Sequence, residues 1–216
     1  MNAGRTRLLC CAMALFLAVG LAPGCDGKSK KKKRAQASTE GLTGGVLVFS
    51  DDFERPELGA DWLARSGRWK IRDGRLNISN DRNEGAWLNQ PLPDRVRVEF
   101  DAIANSDEGD LKFEIFATEQ RHQTGYIVIL GGWRNSVSII ARLNEHGEDR
   151  LEADARAVRG TVHRIAAVRT DNSLRWYVDG NLVLKFDDEE PIRGSYFAFN
   201  DWAADVSFDN LRIYKL

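Results

Sequence analysis

Three histidines, a set of carboxylates in alternating runs and six tryptophans are the residues through which this chain could do chemistry. His122 opens the stretch HQTGYIVILGGWRNS, whose apolar run, Tyr126 to Leu130, is flanked by histidine, glutamine, glycine, tryptophan, arginine and asparagine. Side chains able to stack on and hydrogen-bond a small polar ligand thus stand at both ends of one rigid element. This reading puts Tyr126 on the sheet, Trp133 and Asn135 at its rim, and His122 at the other end. Histidine titrates near neutral pH and suits a general base. His146, in the hydrophilic turn NEHGED, reads as solvated, and His163, in GTVHRIAAV, as a hydrogen-bonded sheet residue.

Three tryptophans sit in polar turn contexts: Trp87 in NEGAWLNQ, Trp133 in GGWRN and Trp202 in FAFNDWAAD, the last beside Asn200 and Asp201. Trp62, Trp69 and Trp176 lie in strand-like patterns and are assigned to the core. Among the carboxylates, Glu99 and Asp101 share the polar parity of RVRVEFDA, and Glu114 shares that of LKFEIFA. Their plainest reading is a solvated sheet face paired with Arg97 and Lys112.

The elements that must position these residues are strands. Val96, Val98, Phe100 and Ala102 alternate with Arg97, Glu99 and Asp101, and Leu111, Phe113 and Ile115 with Lys112 and Glu114. Such period-two alternation predicts half-buried antiparallel strands. Asp-Gly pairs in WKIRDGRLNIS and LRWYVDGNLVLKF mark hairpins, because a type I′ turn needs positive φ at both central residues. About a dozen short strands at this spacing predict an all-β domain of two packed antiparallel sheets.

The N-terminal region has a different character. Residues 1–24 read as an export signal, with Arg5 and Arg7 ahead of a short apolar run that ends in LAPGC. Cys25 then reads as a lipid-acceptor cysteine, because the two other cysteines, Cys10 and Cys11, lie inside the signal. Residues 25–44, with the basic run Lys30 to Arg34, lack the apolar surface to order themselves and read as a flexible tether that also favours anionic headgroups. Residues 45–216 form the folded domain. Residues 41–216 carry 23 basic and 30 acidic side chains, a charge near −7, which excludes nucleic acid as a main partner. The sequence therefore predicts an exported protein held at the cell envelope by a lipid on Cys25.

The domain opens with FSDDFERPELGADW, continues with GRWKIRDGRLNIS and closes with VSFDNLRIYKL. That set resembles the concanavalin A-like lectin/glucanase superfamily, and within it the 3-keto-disaccharide hydrolase-type domain. The resemblance implies a curved jelly roll with its first and last strands side by side and a saccharide on the concave sheet. It implies no certain cofactor; in some members a structural calcium is held partly by an aspartate of the last strand, here Asp209, with backbone carbonyls near Asp51 to Arg55. The retaining glucanases of the superfamily use Glu-x-Asp-x-x-Glu, whereas EFDAIA supplies Glu99 and Asp101 but has Ala104 in the last place. Retaining hydrolysis needs two carboxyls about 5–5.5 Å apart, so Glu114 of the next strand would have to act as substitute. A 3-keto sugar needs no such pair: its acidic C2 proton permits elimination by one base, for which His122 is the candidate.

The function expected is saccharide binding by a surface-anchored domain, through Trp87, Tyr126, Trp133, Asn135, Asn200 and Trp202. The alternatives are a hydrolase of 3-keto-disaccharide type, with His122, Glu99, Asp101 and Glu114, and a protein-interaction sandwich.

Overall fold

The computed structural model describes residues 41–216. The expected signal, the Cys25 anchor and most of the tether lie outside the described residues. In chain order the strands begin with β1 (Val46–Asp51), β2 (Trp62–Ala64), β3 (Lys70–Arg72), β4 (Arg75–Ser79) and β5 (Ala86–Leu88). The longer β6 (Val96–Ala104), β7 (Leu111–Ala117), β8 (Tyr126–Gly131) and β9 (Val137–Arg142) follow, then β10 (Leu151–Ala153) and β11 (Val162–Thr170). The chain ends with β12 (Ser173–Val178), β13 (Asn181–Asp187), β14 (Tyr196–Asn200) and β15 (Asp205–Lys215).

They form two antiparallel sheets. One has the order β13-β12-β11-β6-β15-β4-β3, with β1 also paired to β15, so first and last strands lie side by side as expected. The other has the order β10-β9-β8-β7-β14-β5-β2. Both Asp-Gly turns take the positive-φ geometry their sequence predicts, with Asp73 at 50° and Gly74 at 67°, and Asp179 at 52° and Gly180 at 76°. Four of the fifteen described strands, β2, β3, β5 and β10, are three-residue pieces too short to show a period.

The core lies between the inner faces. Val98, Phe100 and Ala102 of β6 meet Phe113 and Ile115 of β7 and Phe197 and Phe199 of β14. Phe199 is its centre, stacked on Phe208 at 4.3 Å and on Trp62 at 5.6 Å, with Phe100 edge-on at 5.0 Å. Trp62, Trp69 and Trp176 are buried in it, as the sequence predicts. His163 is likewise satisfied: its Nε2 accepts from Val158 N at 2.9 Å.

One carboxylate fastens the chain entry to this core. Asp51 accepts from Phe53 N at 2.9 Å, from both terminal nitrogens of Arg55 at 2.5 and 2.8 Å, and from Trp62 Nε1 at 2.8 Å. Burial acts to raise its pKa, but the hydrogen bonds from Arg55, Trp62 and Phe53 outweigh it and hold the carboxyl below its ordinary range. The folded-state pKa is thus depressed, so the stabilisation is present above the unfolded pKa and is lost as pH falls through the folded one. Asp51→Asn is expected to lose about 1–3 kcal/mol at neutral pH. In urea unfolding, the gap to wild type should narrow as pH falls below the ordinary aspartate value of about 3.9. A gap that does not change with pH would assign the effect to packing rather than charge.

Candidate functional site

The site is built on the outer face of the second sheet. Because Leu111, Phe113 and Ile115 face the core, Lys112 and Glu114 point the other way. Register flanks Lys112 with Ile129 and Asn200, and Glu114 with Ile127 and Ala198. The alternation predicts solvent at this face, and the structure corrects that: Lys112 is 1% exposed and Glu114 is 0% exposed. Loops from distant parts of the chain cover them.

Lys112 Nζ donates to Asn83 Oδ1 at 2.8 Å and stands 3.1 Å from Glu145 Oε2 and 3.6 Å from Asp110 Oδ2. Burial acts to lower the Lys112 pKa, but the charges of Asp110 and Glu145 outweigh it and keep the ammonium raised. The two acids diverge. Burial pushes Asp110 up, whereas Lys112 overcomes burial at Glu145 and holds it down. Asp201, buried behind them, is pushed up to about 7, first by burial and then by the charge of Asp110.

Glu114 continues the network. His122 Nδ1 lies 2.7 Å from Glu114 Oε1, which also accepts from Asn200 Nδ2 at 2.7 Å, while Gln123 N donates to Oε2 at 3.2 Å. His122 Nε2 is buried without a hydrogen bond and is 4.0 Å from Glu145 Oε1. Polar side chains therefore run unbroken beneath the loops, from Asn200 through Glu114, His122, Glu145 and Lys112 to Asp110.

Above this floor opens a pocket of about 540 Å³, lined by Glu108, Asp110, Lys112, Ile129, Trp133, Arg134, Glu145, His146, Trp202 and Ala203. Trp133 and Trp202 are 37% and 50% exposed. Trp133 sits on a single left-handed turn, Gly132–Asn135, in which Trp133, Arg134 and Asn135 have φ of 49°, 58° and 58°. Non-glycine residues in this conformation cost about 1–2 kcal/mol each. Asn135 bears part of that cost, donating to Ala157 O at 2.7 Å and accepting from Ala157 N at 2.9 Å. The ring meets His146 edge-on at 5.5 Å and lies under the Arg150 guanidinium at 4.7 Å. Trp202 donates its backbone N–H to Asp110 and lies beneath Arg82 at 5.7 Å.

Several expected site residues are elsewhere. Trp87 is 1% exposed, packed with Ala117 and Ala198 of the neighbouring strands rather than at a rim. Tyr126 faces the core, because its partner in register is Ile115. Its hydroxyl donates to Asp188 Oδ2 at 2.6 Å, and burial helps push its pKa up to about 12. Asn135 is engaged by the loop at Ala157 and Asn200 by Glu114 of the neighbouring strand. Glu99 and Asp101 project from the outer face of the first sheet, paired with Arg97 at 2.6 Å and with Asn210 Nδ2 at 3.0 Å. They stand on the opposite side of the sandwich from Glu114, so no carboxyl pair forms between them. Lys112, Asp110, Glu145, Arg134 and His146 were not expected in the site; only the polar parity of Lys112 hinted at it.

The residues do not fit a calcium ion held by Asp209 and the segment after Asp51. Asp209 faces Asp101 across the strands, with Arg75 at 3.8 Å, while the Asp51 carboxylate is filled by Arg55. Among the described residues no three His, Cys, Asp or Glu side chains converge as a metal site.

The chain belongs to the family described as Farnesoic acid 0-methyl transferase, whose model matches residues 81–212. No curated protein matches. Among solved structures, a protein of unknown function with a galectin-like fold from Bacillus subtilis aligns at a TM-score of 0.63 and 11% identity, over 80% of this chain and 97% of its own. The carbohydrate-binding module CBM66 from Bacillus subtilis aligns at 0.60 and 14%, over 74% and 98%. The family GH16 endo-beta-1,3(4)-glucanase SCLam aligns at 0.59 and 14%, over 79% and 91%. The domain thus has the concanavalin A-like jelly-roll fold.

Replacing the buried ammonium tests the floor. Lys112→Met leaves Asp110 and Glu145 uncompensated and is expected to lower unfolding free energy by about 3–5 kcal/mol in urea titration. A loss under about 1 kcal/mol would show that the acids do not depend on it.

Proposed function

We propose that this domain binds a saccharide in the pocket between Trp133 and Trp202, and that a lipid on Cys25 holds it at the cell envelope. The observation that carries the reading is the pairing of two part-exposed tryptophans over a floor of fixed charged groups in one pocket. Aromatic faces stack on the C–H faces of a sugar ring, and a few convergent polar groups orient its hydroxyls. The likeness to a carbohydrate-binding module supports this through the fold alone. Methylation of an isoprenoid acid, the activity in the family's description, asks for a long apolar channel. Here the apolar lining is Ile129, Ala203 and the two tryptophan rings, above a charged floor.

A second reading, cleavage of a 3-keto disaccharide, is favoured by the Glu114 carboxylate 2.7 Å from His122 Nδ1, the geometry that orients a histidine base. Incubation with a saccharide panel that includes 3-keto disaccharides, followed by mass spectrometry and calorimetry, separates the two. Under binding, no product forms, and Trp133→Ala and Trp202→Ala each weaken affinity by about 1–3 kcal/mol while His122→Ala largely keeps it. Under cleavage, His122→Ala lowers turnover by about 10² to 10⁴. Affinity equal to wild type in both tryptophan variants would refute the placement of the site. The anchor has its own test: Cys25→Ser should move the protein from the membrane fraction to the soluble one, and retention would exclude the lipid.

A further inference from the structure

We infer that the saccharide taken between Trp133 and Trp202 is an acidic one, and that Arg134 reads its anionic group, a uronate carboxylate or a sulfate ester. This rests on the saccharide reading of that pocket. Arg134 follows Trp133 on the left-handed turn Gly132–Asn135 and lines the same pocket. At a φ of 58° an arginine costs about 1–2 kcal/mol that a glycine would not. The strain therefore holds an aromatic ring and a guanidinium next to each other in the lining, and Asn135 fixes the pair through its two hydrogen bonds to Ala157. Strain of this kind gathers at ligand clamps.

The guanidinium is open to a ligand. Among the described residues the Arg134 side chain forms no hydrogen bond and no ion pair. Its planar fork of N–H donors matches the paired oxygens of a carboxylate or a sulfate, and such charge-assisted pairs are the strong ones. A neutral hydroxyl would use one donor and leave the charge unmet.

The acids of the lining are committed elsewhere. Glu145 and Asp110 stand 3.1 and 3.6 Å from Lys112, and Asp110 also accepts the backbone N–H of Trp202. Glu108 is the remaining acid. It forms no ion pair with Arg134, and its carboxyl is held low first by a hydrogen bond from Ser106, the charge of Arg134 adding less. Two further guanidiniums lie over the rings, Arg150 on Trp133 at 4.7 Å and Arg82 on Trp202 at 5.7 Å. Arg150 is taken by Glu152 at 2.6 Å, whereas Arg82 forms no ion pair among the described residues. A cation thus stands beside each surface on which a sugar ring would stack.

Calorimetry with matched sugars tests this: an oligogalacturonate against its carboxyl-reduced neutral form, and a sulfated galactan oligosaccharide against its desulfated form. In one pair the charged member should bind about ten-fold or more tightly than its neutral counterpart, the scale of a hydrogen-bonded charge. Which pair responds distinguishes carboxylate from sulfate. Arg134→Gln should bring the ratio close to one, and Arg134→Lys should restore only part of it, because an ammonium lacks the fork. Raising salt from about 50 to 500 mM should narrow the ratio in the wild type. Equal binding of charged and neutral members would overturn the inference and leave the saccharide reading standing, as would binding in a neutral panel alone. A ratio that survives Arg134→Gln would overturn the role of Arg134. No binding to these pairs or to the neutral panel would overturn the saccharide reading, and this inference with it.

Discussion

The ammonium of Lys112 is the constraint on which the outer face of the second sheet depends. A lysine on a strand normally extends into water, and burying it costs several kcal/mol unless its donors are satisfied and its charge is met. Here that demand draws in three segments distant in sequence: Asn83 before β5, Asp110 before β7 and Glu145 after β9. Asp110 then accepts the backbone N–H of Trp202, and Glu145 stands beside His122. A single buried charge thus specifies how four loops converge. Low dielectric strengthens each of these contacts and makes each costly to lose, so the network behaves as a unit.

The rim follows from this floor and from backbone strain accepted at one place. The left-handed turn that carries Trp133 starts from Gly131, at φ 71°, where an added Cβ would meet Asn135 Oδ1 at 2.2 Å. Gly109, from the loop before β7, approaches the turn so closely that its own Cβ would lie 2.4 Å from Gly131 O. Glycine at both positions lets the loop and the turn pass each other. Asn135 then ties the turn to Ala157. Strain of this kind persists only where surroundings over-determine it, and it is concentrated at the residue that lines the pocket.

What the sequence displays clearly is what local patterns encode. Alternation in β6 and β7 reveals which side chains share a face, and Asp-Gly marks two hairpins, because parity and turn chemistry are short-range properties. Burial of an outer face is not such a property. Lys112 and Glu114 alternate like solvated residues, and their covering groups arrive from 29 residues away at Asn83 and 86 at Asn200. Trp87 and Trp202 occupy equally polar local contexts, yet Trp87 is buried against Ala117 and Ala198 of neighbouring strands whereas Trp202 lines the pocket. Tyr126 was ambiguous for another reason. Every residue of β8 is buried, so the run carries no alternation, and only pairing with β7 decides that Tyr126 turns inward.

The same convergence bears on what His122 does. A catalytic base needs one nitrogen oriented and the other open to the substrate. Glu114 meets the first condition, but Nε2 is buried, close to Glu145, and His122 is not among the residues lining the pocket. In this geometry the imidazole joins two carboxylates across the sheet, Glu114 from β7 and Glu145 from the loop after β9. Through Nδ1 it meets Glu114 at 2.7 Å and ties its own loop to the sheet, so the role that asks least of the structure is a brace beneath the tryptophan rim. For His122 to act on a sugar, Glu145 would have to move aside, and Glu145 is held by Lys112, the group around which the whole floor is arranged.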